Sequence, residues 1–267
     1  MTAGDDGAND WTSYLARLEA LMRDLRIAIS LCTRLPVGTS MAVGGGDVAR
    51  AGWAFPVAGA LIGAIAAAVY WLADHLHIPP ISASVLALAT TVLLTGAMHE
   101  DGLADTADGL GGGRTREKKL EIMRDSRIGT FGTCALCLSL LLRWSALAAI
   151  EDARAIAIAL IVAHAGARAI LPAFMSLVAP ARSDGLSSGA GQPPPVSAAV
   201  ALGLGIVALA IGFGLKPMLA GVAVLAAIAL LLAFIARHQI GGQTGDVLGA
   251  LEQAAEAALL LLATTLL

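Results

Sequence analysis

Long apolar runs alternate with a few dense polar blocks along this chain. Seven runs approach or exceed the ~20 residues a hydrocarbon core requires: 53–72, 81–98, 130–150, 155–179, 196–215, 218–236 and 247–267. Being continuous rather than alternating, and rich in Ala, Leu, Ile, Val and Gly, they predict spanning helices, not barrel strands. The third run carries Arg143, and the fourth carries His164, Arg168 and Pro172, so the fourth is expected to be kinked or to line a polar cavity. Ahead of them, Trp11, Leu15, Leu18, Met22, Leu25 and Ile29 recur at helical spacing, with Arg17, Arg23 and Arg26 among the polar positions. That pattern fits an amphipathic helix lying on a membrane surface or one packed on the rest of the protein. Gly44, Gly45 and Gly46 read as a flexible connection into the first span. The expected fold is therefore an all-α, polytopic integral membrane helical bundle, with about seven transmembrane helices after an amphipathic surface helix. Residues 1–52 are expected to form the N-terminal extension and interfacial helix, and 53–267 the transmembrane bundle with its polar loops.

Composition agrees. Of 267 residues, 57% are hydrophobic and 14% charged, and the mean hydropathy is +0.79; soluble domains lie near 45–50% and 25%. A large soluble core is excluded. The first residues are acidic (Asp5, Asp6, Asp10) and lack a short apolar core with a cleavage pattern, so no cleavable signal is expected. Lysine and arginine are uneven: with the N-terminus inside, thirteen fall on the inner segments and two, Arg154 and Lys216, on the outer turns. This positive-inside asymmetry puts the long polar segments 99–129, 180–195 and 237–246 on the cytoplasmic face. Cys134 and Cys137 share CxxC spacing within an apolar run, which suits small buried packing better than a redox or metal site.

The densest chemistry lies in HEDGLADTADG, beginning at His99. Three carboxylates, Asp101, Asp105 and Asp108, fall within eight residues. On a helix, offsets of four and seven hold them inside an arc of roughly 60°. Like charges that close raise one another's pKa unless a cation neutralises them. The pattern suits a hard dication, magnesium holding phosphate oxygens, or else a solvated acidic turn at a membrane boundary.

Residues 99–129 carry seven carboxylates and six basic side chains. A helix is predicted over 115–127, placing Arg124 and Arg127 on one face, suited to a diphosphate or to salt bridges with Glu117, Glu121 and Asp125. Asp125 could add a metal ligand. Arg182 to Leu186 lead into a Gly/Ser/Pro-rich stretch ending at Pro195, a lid or a connector. In GGQTGD, Gly241 and Gly242 would let the backbone approach an anion, Thr244 offers a hydroxyl, and Asp246 opens the last helix. A glycine C-cap followed by an aspartate N-cap would use the same residues.

Together these motifs resemble the cobalamin synthase (adenosylcobinamide-GDP ribazoletransferase) family. The matching pieces are Thr33-Arg34-Leu35-Pro36, then FPVAGALIGA from Phe55, then HEDGLADTADGLGGG followed by EIMRDSRIGTFG between His99 and Gly132, and GGQTGDVLGA from Gly241. The resemblance runs from about residue 25 to the end; the central block is highly specific, and TRLP or GGQTGD alone would be weak. CDP-alcohol phosphotransferases also cluster aspartates at a membrane face, but their Ala-Arg step after a DG is missing here.

The resemblance implies a magnesium-dependent transferase of the bacterial inner membrane. Its substrates would be adenosylcobinamide-GDP and α-ribazole or α-ribazole 5′-phosphate, with GMP released. It assigns Asp101, Asp105 and Asp108 to Mg2+ and the diphosphate, and His99 or Glu100 to deprotonation of the ribose hydroxyl or to a metal-bound water. Arg124, Ser126 and Arg127, with Gly241, Gly242 and Thr244, would bind substrate. Asp125 and Asp246 would complete the metal shell. The lipid bilayer is an expected partner, a nucleic acid is not, and a homo-oligomer is left open.

Overall fold

The computed structural model describes residues 6–38, 44–150 and 152–267; Asp5, named above, lies outside them. Among the described residues the regular structure is helical, with one isolated bridge between Pro180 and Gln243. In chain order the helices are α1 (Asp6–Cys32), α2 (Gly45–Ala51), α3 (Phe55–His75), α4 (Pro80–Thr95), α5 (Met98–Gly112), α6 (Arg116–Ile122), α7 (Thr130–Ala149), α8 (Ala153–Ala169), α9 (Leu171–Leu177), α10 (Leu186–Ala190), α11 (Pro195–Phe213), α12 (Leu215–Gln239) and α13 (Gly245–Ala263).

Among the described residues, five stretches are long and apolar enough to cross a membrane: Gly45–His75, Thr130–Ala149, Ala153–Leu177, Pro195–Phe213 and Leu215–Gln239. The pair α4–α5 would make a sixth only as a broken span, because the chain bends by 87° between them. The expected seven is thus not reached. Two residues explain the bend. Gly96 ends α4 in the left-handed region (φ 65°), and Ala97 follows at φ 59°. A side chain on Gly96 would meet Arg34 Nε at 2.0 Å, so glycine is required by both conformation and space. The run 81–98 is therefore α4 with the turn that ends it, too short to be counted as a span by itself, and α5 is the polar helix that follows the bend. The seventh expected crossing, α13, does form a helix. Its Asp246, Glu252 and Glu256 exceed what a lipid-facing span tolerates, and the two glutamates are fully buried in protein instead.

The α8 stretch is the axis of the bundle: 83% of its apolar window is buried, against 11% for the peripheral α12. It packs closest on α3, where a Cβ on Gly59 would sit 2.2 Å from His164 O and one on Gly63 2.5 Å from Leu160 O. This is small-xxx-small packing, in which backbones meet directly. The expected kink in the fourth run falls at Ile170, with Pro172 in the first turn of α9, where its missing N–H costs nothing.

The second half of the N-terminal helix packs on the bundle, and its first half does not. Ile27, Ala28 and Cys32 are buried against the bundle, while Trp11, Tyr14, Leu15, Leu18 and Met22 stay exposed. The connection expected at residues 44–46 is instead the start of α2, held to α1 by Arg23–Asp47 (2.7 Å) and Arg50–Asp24 (2.9 Å). Cys134 and Cys137 are exposed on α7 rather than buried as expected.

Candidate active site

Close approach of α5 and α13 builds the site. A Cβ on Gly102 would stand 2.9 Å from Asp246 O and 3.1 Å from Gly249 Cα, so only small residues let these helices come so near. The contact brings Asp246 to the carboxylates of α5. Asp101 is exposed and Asp105 half-buried. Burial, then the charges of Asp101, Asp246 and Asp108, push the Asp105 carboxyl up to about 7. Beside them opens a cleft of about 310 Å³, whose lining includes Asp101, Asp105, Met123, Arg124, Asp125 and Ser126.

Asp108, expected as a metal ligand with the other two, is buried and turned to another task. Its Oδ2 accepts the Gly129 N–H (2.6 Å) and its Oδ1 the Gly132 N–H (2.8 Å), which caps the first turn of α7. The three carboxylates share a face, as their spacing predicts, but two face the cleft and the third anchors α7.

The helix expected over 115–127 stops at Ile122. Thr115 caps its start, accepting from Lys118 N, and residues 123–129 form a loop. Arg124 and Arg127 are therefore not side by side on one helical face. Arg124 lines the cleft and grips both oxygens of Asp184 (2.6 and 2.7 Å). Arg127 is exposed and pairs with Asp125 (2.7 Å), which holds that carboxyl down to about 2. So the salt-bridge alternative describes the arginines, with Asp184 as the unforeseen partner of Arg124.

Three polar segments are stitched together below the cleft. Arg116 Nη2 donates to Ala181 O (2.8 Å), Ala181 N to Gln243 O (2.8 Å) and Gln243 N to Ala179 O (2.9 Å). Ser187 donates to Gln243, and Lys119 to Gln239. Residues 179–188 are thus pinned, neither a free lid nor a loose connector. Gly242, at φ 159°, permits this, since a Cβ there would lie 2.2 Å from Ala179 O. Gly241 packs on Arg116. Thr244, not Asp246, is the N-cap of α13: it accepts from Val247 N (3.3 Å) and donates to Asp246 Oδ2 (3.1 Å). Gly241, Gly242 and Thr244 therefore serve the loop's own architecture first.

His99 and Glu100 do not line the cleft. They belong to a buried charge cluster where α5, α7, α8 and α13 meet. Arg143 reaches Glu100 (3.2 Å) and Glu256 (3.0 Å). Arg168 pairs with Glu252 at 2.6 Å, and its other nitrogen lies 3.4 Å from His99 Nδ1. His164 Nδ1 stands 3.0 Å from Glu256, while Gln253 donates to Glu252 (3.0 Å) and Glu100 (3.3 Å). Arg143, His164, Arg168, Glu252, Gln253 and Glu256 are each at most 2% exposed. Glu252, Gln253 and Glu256 had no place in the sequence reading. The available signal was a pair of carboxylates four apart within an apolar run, opposite two intramembrane arginines that required counter-charges. Among the described residues, His164, Glu252 and Glu256 are the one set of three ligand residues whose donor atoms converge within 4.8 Å. Both carboxylates there are already held by guanidinium groups, so the cluster reads as an ion-pair clamp. The rim aspartates are spread more widely and have no such partners, apart from the long Arg182–Asp246 approach.

Fold and site together define a polytopic helical membrane protein with a carboxylate-lined polar cleft at one end of its bundle. The chain belongs to the cobalamin-5-phosphate synthase family, whose model matches residues 24–264. Over 243 residues it is 58% identical to the adenosylcobinamide-GDP ribazoletransferase of Bradyrhizobium diazoefficiens, covering 91% of this chain and 94% of that one. Proteins of the same name from Mesorhizobium japonicum and Azorhizobium caulinodans are 46% and 43% identical, each covering 92% of this chain and 95% and 96% of their own. No solved structure matches.

Proposed function

We propose that this chain is a membrane-embedded transferase that joins α-ribazole, or its 5′-phosphate, to adenosylcobinamide-GDP, giving adenosylcobalamin or its 5′-phosphate and releasing GMP. The reading draws its substrates from the family and the relatives' names. The observation that carries it to the site is the grouping of Asp101, Asp105 and Asp246 beside a cleft that also presents Arg124.

The donor set fits magnesium. Asp101, Asp105 and Asp246 are hard oxygen ligands, and the Asp105 carboxyl, pushed up to about 7 by burial first and then by its neighbouring carboxylates, carries a charge that a dication would stabilise. Those three would hold the metal, which when bound neutralises diphosphate charge. Asp108 would position rather than ligate. In the transfer, the ribose hydroxyl oxygen forms a bond to the phosphorus on the cobinamide side. The bond from that phosphorus to the bridging oxygen breaks, GMP leaves with that oxygen, and the hydroxyl proton passes to a base at the rim. Positioning and charge neutralisation carry most of such a reaction, so the chain's task is to hold the two reactants in line.

The lysine and arginine asymmetry supports a cytoplasmic cleft in the bacterial inner membrane. A cysteine placed at Thr115 should react with an impermeant reagent only from the cytoplasmic side; labelling from outside would reverse the orientation. Purified protein in lipid nanodiscs, given Mg2+, adenosylcobinamide-GDP and α-ribazole, should yield the joined product and GMP in equal amounts. Absence of both would remove the reading.

A further inference from the structure

Three guanidinium groups surround the stitched loops, and two are committed. Arg116 donates to Ala181 O and Arg124 to Asp184. Arg182 is different. Its side chain is 16% exposed, yet its Nη1 is shielded from solvent and has no acceptor. Its Nη2 lies 3.6 Å from Asp246 Oδ2, beyond hydrogen-bond length, and that oxygen already accepts from Thr244. The chain turns back at Gly185 (φ 111°), where a Cβ would stand 3.3 Å from Arg182 Nε, so the loop wraps its own arginine. Neighbouring groups are spoken for: Ser187 donates to Gln243 Oε1, and Gln243 O accepts Ala181 N.

A buried donor without an acceptor is destabilising, and more so when charged. The loop that imposes this is anchored at both ends, so the arrangement is built rather than slack. An anion supplies the kind of acceptor a guanidinium fork grips through two parallel bonds. The position next to Asp246 selects among anions, because Asp246 adjoins the carboxylates proposed to hold the dication. We propose that Arg182 binds a phosphate oxygen of the diphosphate substrate, on the Asp246 side of the site. This rests on the proposed transfer reaction for the identity of the diphosphate, but not for the existence of the anion site.

The test uses full-length protein in phosphatidylcholine nanodiscs, comparing wild type, R182K and R182Q. GDP affinity is measured by titration calorimetry with Mg2+ present, and turnover is followed separately. R182Q should weaken GDP binding about tenfold or more, with R182K in between, as expected for loss of a charge-assisted fork. It should raise the KM for adenosylcobinamide-GDP while leaving the KM for α-ribazole and the half-saturating Mg2+ unchanged. If the Mg2+ requirement moves and GDP affinity does not, Arg182 only steadies Asp246 and the proposal fails. Unchanged values throughout also overturn it. An anionic lipid headgroup offers the same phosphate chemistry. A difference between wild type and R182Q seen only in nanodiscs containing phosphatidylglycerol would assign the arginine to lipid and reject a substrate role. R182K guards against misfolding, since it keeps the charge and much of the packing. Wild type that binds GDP through Arg182 but makes no product would sink the transfer reaction and spare the anion site.

Discussion

The two carboxylate groups of this protein sit on the same pair of helices, α5 and α13, yet their surroundings are opposite. Deep in the bundle, Glu100, Glu252 and Glu256 each face a guanidinium or imidazole from α7 or α8. At the rim, Asp101 and Asp105 have no basic partner among the described residues, and Asp246 has only the distant Arg182. Acids paired where water is excluded hold helices together. Acids left unpaired beside a cleft keep their charge open to a cation, the role proposed for them. The contrast separates a clamp from a site, and neither the number of acids nor their spacing would have done so.

The largest expected effect comes from breaking the clamp. Arg168→Met strands Glu252 in the interior, and removal of one partner from a buried pair costs about 3–5 kcal/mol. The expected result is a large drop in unfolding temperature in detergent, or failure to accumulate; a melt like wild type would contradict the clamp. Asp105→Asn should do the reverse, lowering turnover by at least about 100-fold, on the scale of losing a key electrostatic group, with an unchanged melt. Full activity in this variant would remove the rim from the chemistry. Asp108→Asn should fall between them. Weakening the cap on α7 costs about 0.5–2 kcal/mol, so both stability and turnover decline modestly, and a loss as deep as that of Asp105→Asn would restore Asp108 as a ligand.

A pH series sharpens the comparison further. Because the Asp105 carboxyl is raised to about 7, it is ionised above that value and protonated below it. The Mg2+ concentration needed for half-maximal activity should therefore rise as pH falls through 7, and Asp105→Asn should flatten that dependence. A requirement indifferent to pH in wild type would separate Asp105 from the metal. The smallest effect belongs to Arg127. Its pair with Asp125 lies in solvent, where ion pairs contribute little, so Arg127→Gln should alter the melt little.

Much of this was legible in sequence because it depends on local periodicity. The all-helical bundle, the break near Pro172 and the shared face of Asp101, Asp105 and Asp108 follow from spacing alone. What spacing cannot show is who stands opposite. Asp108 looks like its neighbours until the backbone of Gly129 and Gly132 is folded onto it. Arg124 looks like a helical twin of Arg127 until the chain leaves the helix after Ile122. The sharp bend after 81–98 comes from positive φ at both Gly96 and Ala97, which an apolar run does not announce. Glu252 and Glu256 were hidden for another reason: two acids within a long apolar run barely lower its hydropathy, although their burial demands the arginines found beside them.

The most direct test is to locate a bound dication. Crystals grown with Mn2+ and GDP should show anomalous density among Asp101, Asp105 and Asp246, with none in the interior. Density instead between His164, Glu252 and Glu256, with the rim aspartates bare, would contradict the division of labour between the two groups.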